Sequence, residues 1–78
     1  MPIIITEHAK ERMAKYEMIA LQVENCLKRP SAVFWGKGGR LIAQYRMNGH
    51  VLRVIYEEKG NDIIVVTVYK ARGGRYEV

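Results

Sequence analysis

The apolar positions change their period once along this chain. Up to residue 30 they recur every three or four residues; from residue 31 they alternate, and the residue types shift to β-formers. PIIIT at 2–6 precedes the helical part as a β-branched run suited to one strand. Thr6 is then placed as a helix N-cap, and Glu7 falls in the first turn, where it meets the positive helix end. A first helix is predicted over about 7–16, with Ala9, Met13 and Tyr16 on its apolar side. A second is predicted over 19–28, with Ile19, Val23, Cys26 and Leu27 as its buried stripe and Pro30 blocking continuation. The break around Glu17 and Met18 implies a helical hairpin, although no strong turn residue marks it.

In the second half, SAVFW at 31–35 reads as a short strand or an irregular crossing, and GKGG at 36–39 as a flexible connection. RLIAQYRM and HVLRVIYE flank Asn48 and Gly49, a strong hairpin signal whose type I′ turn needs positive φ at both positions. Counting outward from Met47 opposite His50 pairs Gln44 with Arg53, Leu41 with Tyr56 and Arg40 with Glu57. Cross-strand partners share a face. Leu41, Ala43, Tyr45, Met47, Leu52, Val54 and Tyr56 therefore form a bed for the helices. Arg40, Ile42, Gln44, Arg46, Val51, Arg53 and Ile55 form an open, positive face. EEKGND at 57–62 reads as a longer turn and IIVVTVY at 63–69 as an interior strand with PIII as its extra neighbour. Ile64, Val66 and Val68 are expected toward the helices, with Ile63, Val65, Thr67 and Tyr69 on the open face, the reversed alternation being the alternative. After Lys70 the tail is expected to leave the sheet near Arg53.

Composition narrows the picture. Seventy-eight residues support one core, since a chain of this size buries only about 60% of its unfolded surface. No apolar run approaches the roughly 18 residues of a membrane span, and the opening residues lack a leader pattern, so a soluble protein is expected. The single cysteine, Cys26, in an apolar helical stretch suits a reducing cytoplasm. The net charge of +5 is uneven. Residues 1–35 hold five Lys/Arg against four Glu, whereas residues 36–56 hold Lys37, Arg40, Arg46 and Arg53 with no acid. Arg40, opposite Glu57, reads as an ion pair. Arg46, Arg53, Gln44 and Tyr69, extended by Lys70, Arg72, Arg75 and Tyr76, offer guanidinium forks for phosphates and rings for unstacked bases, the requirements of single-stranded RNA. RNA can also be cut without a metal when its 2′-hydroxyl attacks the adjacent phosphate. Arginines would stabilise the added charge, and Tyr76 could serve as base if cationic neighbours lowered its pKa. His8, His50 and Cys26 lack metal-ligand spacing, so neither metal nor cofactor is expected. WGKGGR lacks the phosphate-loop pattern.

Four stretches together, HAKERM at 8–13, LKRP at 27–30, VLRVIYEE at 51–58 and TVYKARGGRY at 67–76, resemble a known family. It is a small prokaryotic family of unknown function with an HAxxRM opening and a TVYK-type ending, grouped with the RelE/ParE-like toxin superfamily. The resemblance implies an α+β domain of order β-α-α-β-β-β, with two helices on one face of a mostly antiparallel sheet. It further implies a ribosome-dependent endoribonuclease covered by an acidic antitoxin, in which Arg53, Arg72 or Arg75, and Tyr76 take the catalytic positions. Gln44 and Arg46 stand where such toxins usually carry lysines. ParE-type relatives with this fold act on gyrase instead, so the alternatives are a non-catalytic interaction module, as a homodimer or toward a topoisomerase, and a plain nucleic-acid-binding domain.

Overall fold

The computed structural model of the protein describes residues 2–72. Strand β1 (Ile3–Ile5) leads into helices α1 (Glu7–Lys15) and α2 (Ala20–Lys28), followed by β2 (Ala32–Trp35), β3 (Leu41–Met47), β4 (His50–Lys59) and β5 (Asp62–Arg72). The five strands form one sheet in the order β1-β5-β4-β3-β2. All neighbours are antiparallel except β1 and β5, which run parallel with Ile3 opposite Ile63. The architecture is therefore α+β, as expected, but with five strands: SAVFW supplies a true edge strand and the order is β-α-α-β-β-β-β. The GKGG connection contains a 3₁₀ turn at Lys37–Gly39.

Local chemistry explains the helix ends. Thr6 caps α1, its Oγ1 accepting from the Ala9 N–H at 3.2 Å. The same hydroxyl donates to the carbonyls of Val65 at 2.8 Å and Val66 at 3.2 Å, fastening the helix to β5. At the other end Met18 N–H bonds Met13 C=O at 2.8 Å and Glu17 N–H bonds Ala14 C=O at 3.2 Å. These are the two bonds of a Schellman motif, and they require Glu17 to adopt φ 54°. The motif carries Met18 into the core, whereas Ile19, expected in the buried stripe, caps α2 and stays exposed. Gln22 Oε1 accepts from the Ile19 N–H at 2.9 Å and completes that start.

Helix α1 packs against β5 and α2 across β3 and β4. Ala9, Met18, Val23, Cys26, Ala43, Leu52, Val54, Tyr56, Ile63, Val65 and Val68 form the core between the layers. The β3–β4 register is the expected one, pair for pair, from Leu41–Tyr56 to Met47–His50. The turn differs in detail. Only Gly49 has positive φ, 71°, and Asn48 does not, which excludes type I′; a single positive angle at the second position is the type II pattern.

Strand β5 shows the larger correction. Tyr56 pairs with Val65 and Ile55 with Thr67, so Val66 is an extra residue bulging from the ladder. Ile63 and Val65 therefore face the helices before the bulge and Val68 faces them after it. A strict alternation, in either phase, places only one half of the strand correctly. The turn before it is also tighter than expected: Lys59 pairs with Asp62, leaving only Gly60 and Asn61 between the strands, with Gly60 at φ 58°.

Candidate nucleic-acid interface

The register builds the site. Ala32, Gln44, Arg53 and Tyr69 are successive partners across β2, β3, β4 and β5, so they form one row on the face opposite the helices. Arg46, Val51 and Ala71 form the adjacent row, about 6.6 Å along the strands. Within the first row the Arg53 guanidinium lies over the Tyr69 ring, 5.5 Å from its centroid. That cation–π contact fixes the fork's plane relative to the sheet.

This face is less bare than its sequence implies. Gln44 and Val51 are each only 1% exposed although both point away from the main core, and the Arg53 Nε is buried. Gln44, Arg46, Arg53 and Tyr69 each make further contacts. The row is a packed, polar patch whose arginines are oriented by neighbours. Arg46 remains exposed at its margin, its backbone N–H donating to Ser31 Oγ at 3.1 Å. Arg40 is engaged as expected, its Nε 3.1 Å from Glu57 Oε2.

The remaining candidates divide. Strand β5 continues to Arg72 instead of leaving near Arg53, and Lys70 pairs with Leu52 and Arg72 with His50. Leu52 belongs to the core, so this register turns Lys70 and Arg72 to the helix side, away from Arg53. Arg72 also lies three residues past Tyr69, about 10 Å along the strand. Arg75 and Tyr76 lie outside the described residues.

A second feature escaped sequence reasoning. A cleft of about 310 Å³ opens between α2 and the β3–β4 hairpin, lined by Gln22, Asn25, Tyr45, Arg46, Met47, Asn48 and Leu52. It arises only when α2 crosses the hairpin, and no motif in either segment announces it. Elsewhere the groups are inert. Burial pushes the Cys26 thiol up to about 12, outweighing a smaller opposite effect of the Val54 backbone. Burial, then the Glu58 and Cys26 charges, raise the Tyr56 hydroxyl. Among the described residues no three His, Cys, Asp or Glu side chains gather as a metal site, and no helix is long and apolar enough to cross a membrane.

Two helices over one side of a five-stranded sheet, with an arginine–tyrosine row on the other, define a small basic α+β domain. The chain belongs to the family described as Domain of unknown function (DUF4258), which matches residues 5–70. Arg46, Arg53, Gln44 and Tyr69 lie inside the matched stretch; Arg72, Arg75 and Tyr76 lie beyond it. No curated protein and no solved structure matches the chain.

Proposed function

We propose that this protein is a toxin-like RNA-binding domain of the RelE/ParE-like type, working in the cytoplasm, and that its arginine–tyrosine row takes the sugar-phosphate backbone of single-stranded RNA. The observation that carries this reading is the Arg53 guanidinium held over Tyr69 on the face away from the helices. A fork already oriented by a ring loses less freedom on binding a phosphate than a solvated one. The β-α-α opening, the helices on a single face and the first strand lying parallel to the last support the superfamily assignment.

Cleavage asks for more than binding. In a metal-independent endoribonuclease the 2′-oxygen bonds to the adjacent phosphorus as the P–O5′ bond breaks, leaving a 2′,3′-cyclic phosphate and a 5′-oxygen that takes a proton from water, and Arg53 stabilises the charge that gathers on the phosphate. Proton transfer falls to Tyr76 with Arg75 beside it in sequence. Arg72, turned to the helix side, leaves the catalytic set. An acidic antitoxin would cover the arginine row.

The test compares RNA binding and RNA cleavage, with and without ribosomes, for the wild type, Arg53→Ala and Tyr76→Phe. Arg53→Ala is expected to weaken binding about tenfold, the worth of one charge-assisted contact, and to lower the salt slope by about 0.7. Arg40→Ala, already paired with Glu57, changes binding less than twofold. Cleavage lost in Tyr76→Phe with binding kept supports the enzyme. No cleavage by the wild type, with binding intact, leaves a non-catalytic module.

A further inference from the structure

We propose that the outer edge of β2 is a docking site for an extended segment of a partner polypeptide, apolar at its centre and acidic at its ends, which adds to the sheet as a sixth strand. This surface is separate from the arginine row and does not depend on the RNA reading.

The backbone supplies the first argument. Strand β2 closes one end of the sheet, with β3 on its inner side. Gly36 N–H bonds Arg40 C=O at 2.7 Å, and antiparallel bonding repeats every second residue. Phe34 and Ala32 therefore direct their main-chain groups inward to β3. Val33 and Trp35 direct theirs outward, where an incoming strand can take them.

The side chains supply the second. Val33, Phe34 and Trp35 are 47%, 39% and 77% exposed. Val33 and Trp35 sit beside Ala43 and Leu41 on the helix side, and Phe34 beside Ile42 on the other, so an added strand meets apolar groups on both faces. Edge strands are ordinarily blunted by an internal charge or proline. The AVFW run contains neither. Its cations stand at the two ends instead, Lys28 and Arg29 before it and Lys37 after it, all exposed, and no Asp or Glu occurs from 25 to 56.

That arrangement selects the occupant. A second copy paired antiparallel about a twofold axis would set Lys28 and Arg29 against the other copy's Lys37. Four residues a side would also bury far less than the roughly 1,200 Å² of a stable interface. A longer segment with carboxylates at both ends turns the same charges into attraction and can extend past the strand.

Trp35 is the chain's single tryptophan, so its fluorescence reports this edge directly. The probe is the synthetic peptide EETVTVTEE, with KKTVTVTKK as its counterpart. The acidic peptide is expected to give a saturable blue shift of Trp35 emission that weakens at least threefold as salt rises from about 0.05 to 0.3 M; the basic peptide gives none. Val33→Pro removes an outward N–H at a position where an edge strand tolerates proline, and should weaken the response at least tenfold with the circular dichroism unchanged. Reversing the exposed charges (Lys28→Glu, Arg29→Glu, Lys37→Glu) should exchange the two peptides' behaviour, and Arg53→Ala should leave both unchanged. The proposal is overturned if neither peptide shifts the emission, if the charge reversal fails to exchange them, or if the shift appears with protein concentration alone as the mass doubles.

Discussion

Glu17 holds the one positive φ angle found at a non-glycine among the described residues, and the reason is the Schellman motif that turns α1 toward α2. A side chain in that conformation costs about 1 kcal/mol, which glycine avoids. Glu17→Gly is therefore expected to stabilise the fold by about 0.5–1 kcal/mol, and Glu17→Val to destabilise it by at least as much, read as urea midpoints at constant slope. Thr6 is the opposite case, a residue whose hydroxyl serves both a helix start and a strand. Thr6→Val keeps the shape and removes the cap and both strand bonds, and should cost about 1–2 kcal/mol, with Thr6→Ser close to the wild type. Cys26 carries a pH dependence. Its thiol is raised by burial from an ordinary 9.0 to about 12, so the folded state holds its proton more tightly than the unfolded chain does. The stabilisation is whole below pH 9 and is lost progressively as pH climbs toward 12. The difference in urea midpoint between the wild type and Cys26→Ala should shrink over that window.

At the scale of elements the bulge at Val66 decides which side of β5 is greasy. Deleting Val66 removes the extra residue and leaves a regular ladder, in which Ile63 and Val65 still pair with Glu58 and Tyr56 and still face the helices in strict alternation with Val68. Both side chains stay buried, so the deletion should cost no more than about 1 kcal/mol, the worth of the Thr6 bond to the Val66 carbonyl, as measured by denaturant unfolding; exposing them would instead cost about 1.5–3 kcal/mol each. This is also where reading the sequence stopped working. Alternation, β-branching and the Asn48–Gly49 pair were sufficient to fix the β3–β4 register and the Arg40–Glu57 pair, because a hairpin register follows from its turn. A bulge follows from how β5 must meet Thr6 and β4 together, and nothing in the apolar run IIVVTV marks one valine as extra. The helix pattern had the same limit. Ile19 and Met18 are equally apolar, and only the geometry of the chain reversal at Glu17 decides that Met18 goes inside.

For the whole molecule, the separation of core and cation that the alternating pattern implied is present, and it positions Arg53 and Tyr69 together on one side of the layer. Of the four expected catalytic groups, Arg53 and Arg72 are set on opposite faces by a continuous β5, which also turns Lys70 to the helix side, and Arg75 and Tyr76 lie outside the described residues. Register, which a sequence gives only where a turn pins it, separates those two readings.

The sheet order bears on when this protein can take shape. The first strand made, β1, finds its place only beside the last, β5, whose paired residues are some 60 positions later. Until Ile63 to Val65 have left the ribosomal tunnel, Ile3 to Ile5 have no ladder to join and the Thr6 hydroxyl has no carbonyl to hold. The nascent chain should therefore close in one step once β5 has emerged, and the arginine row should come into register only at that moment.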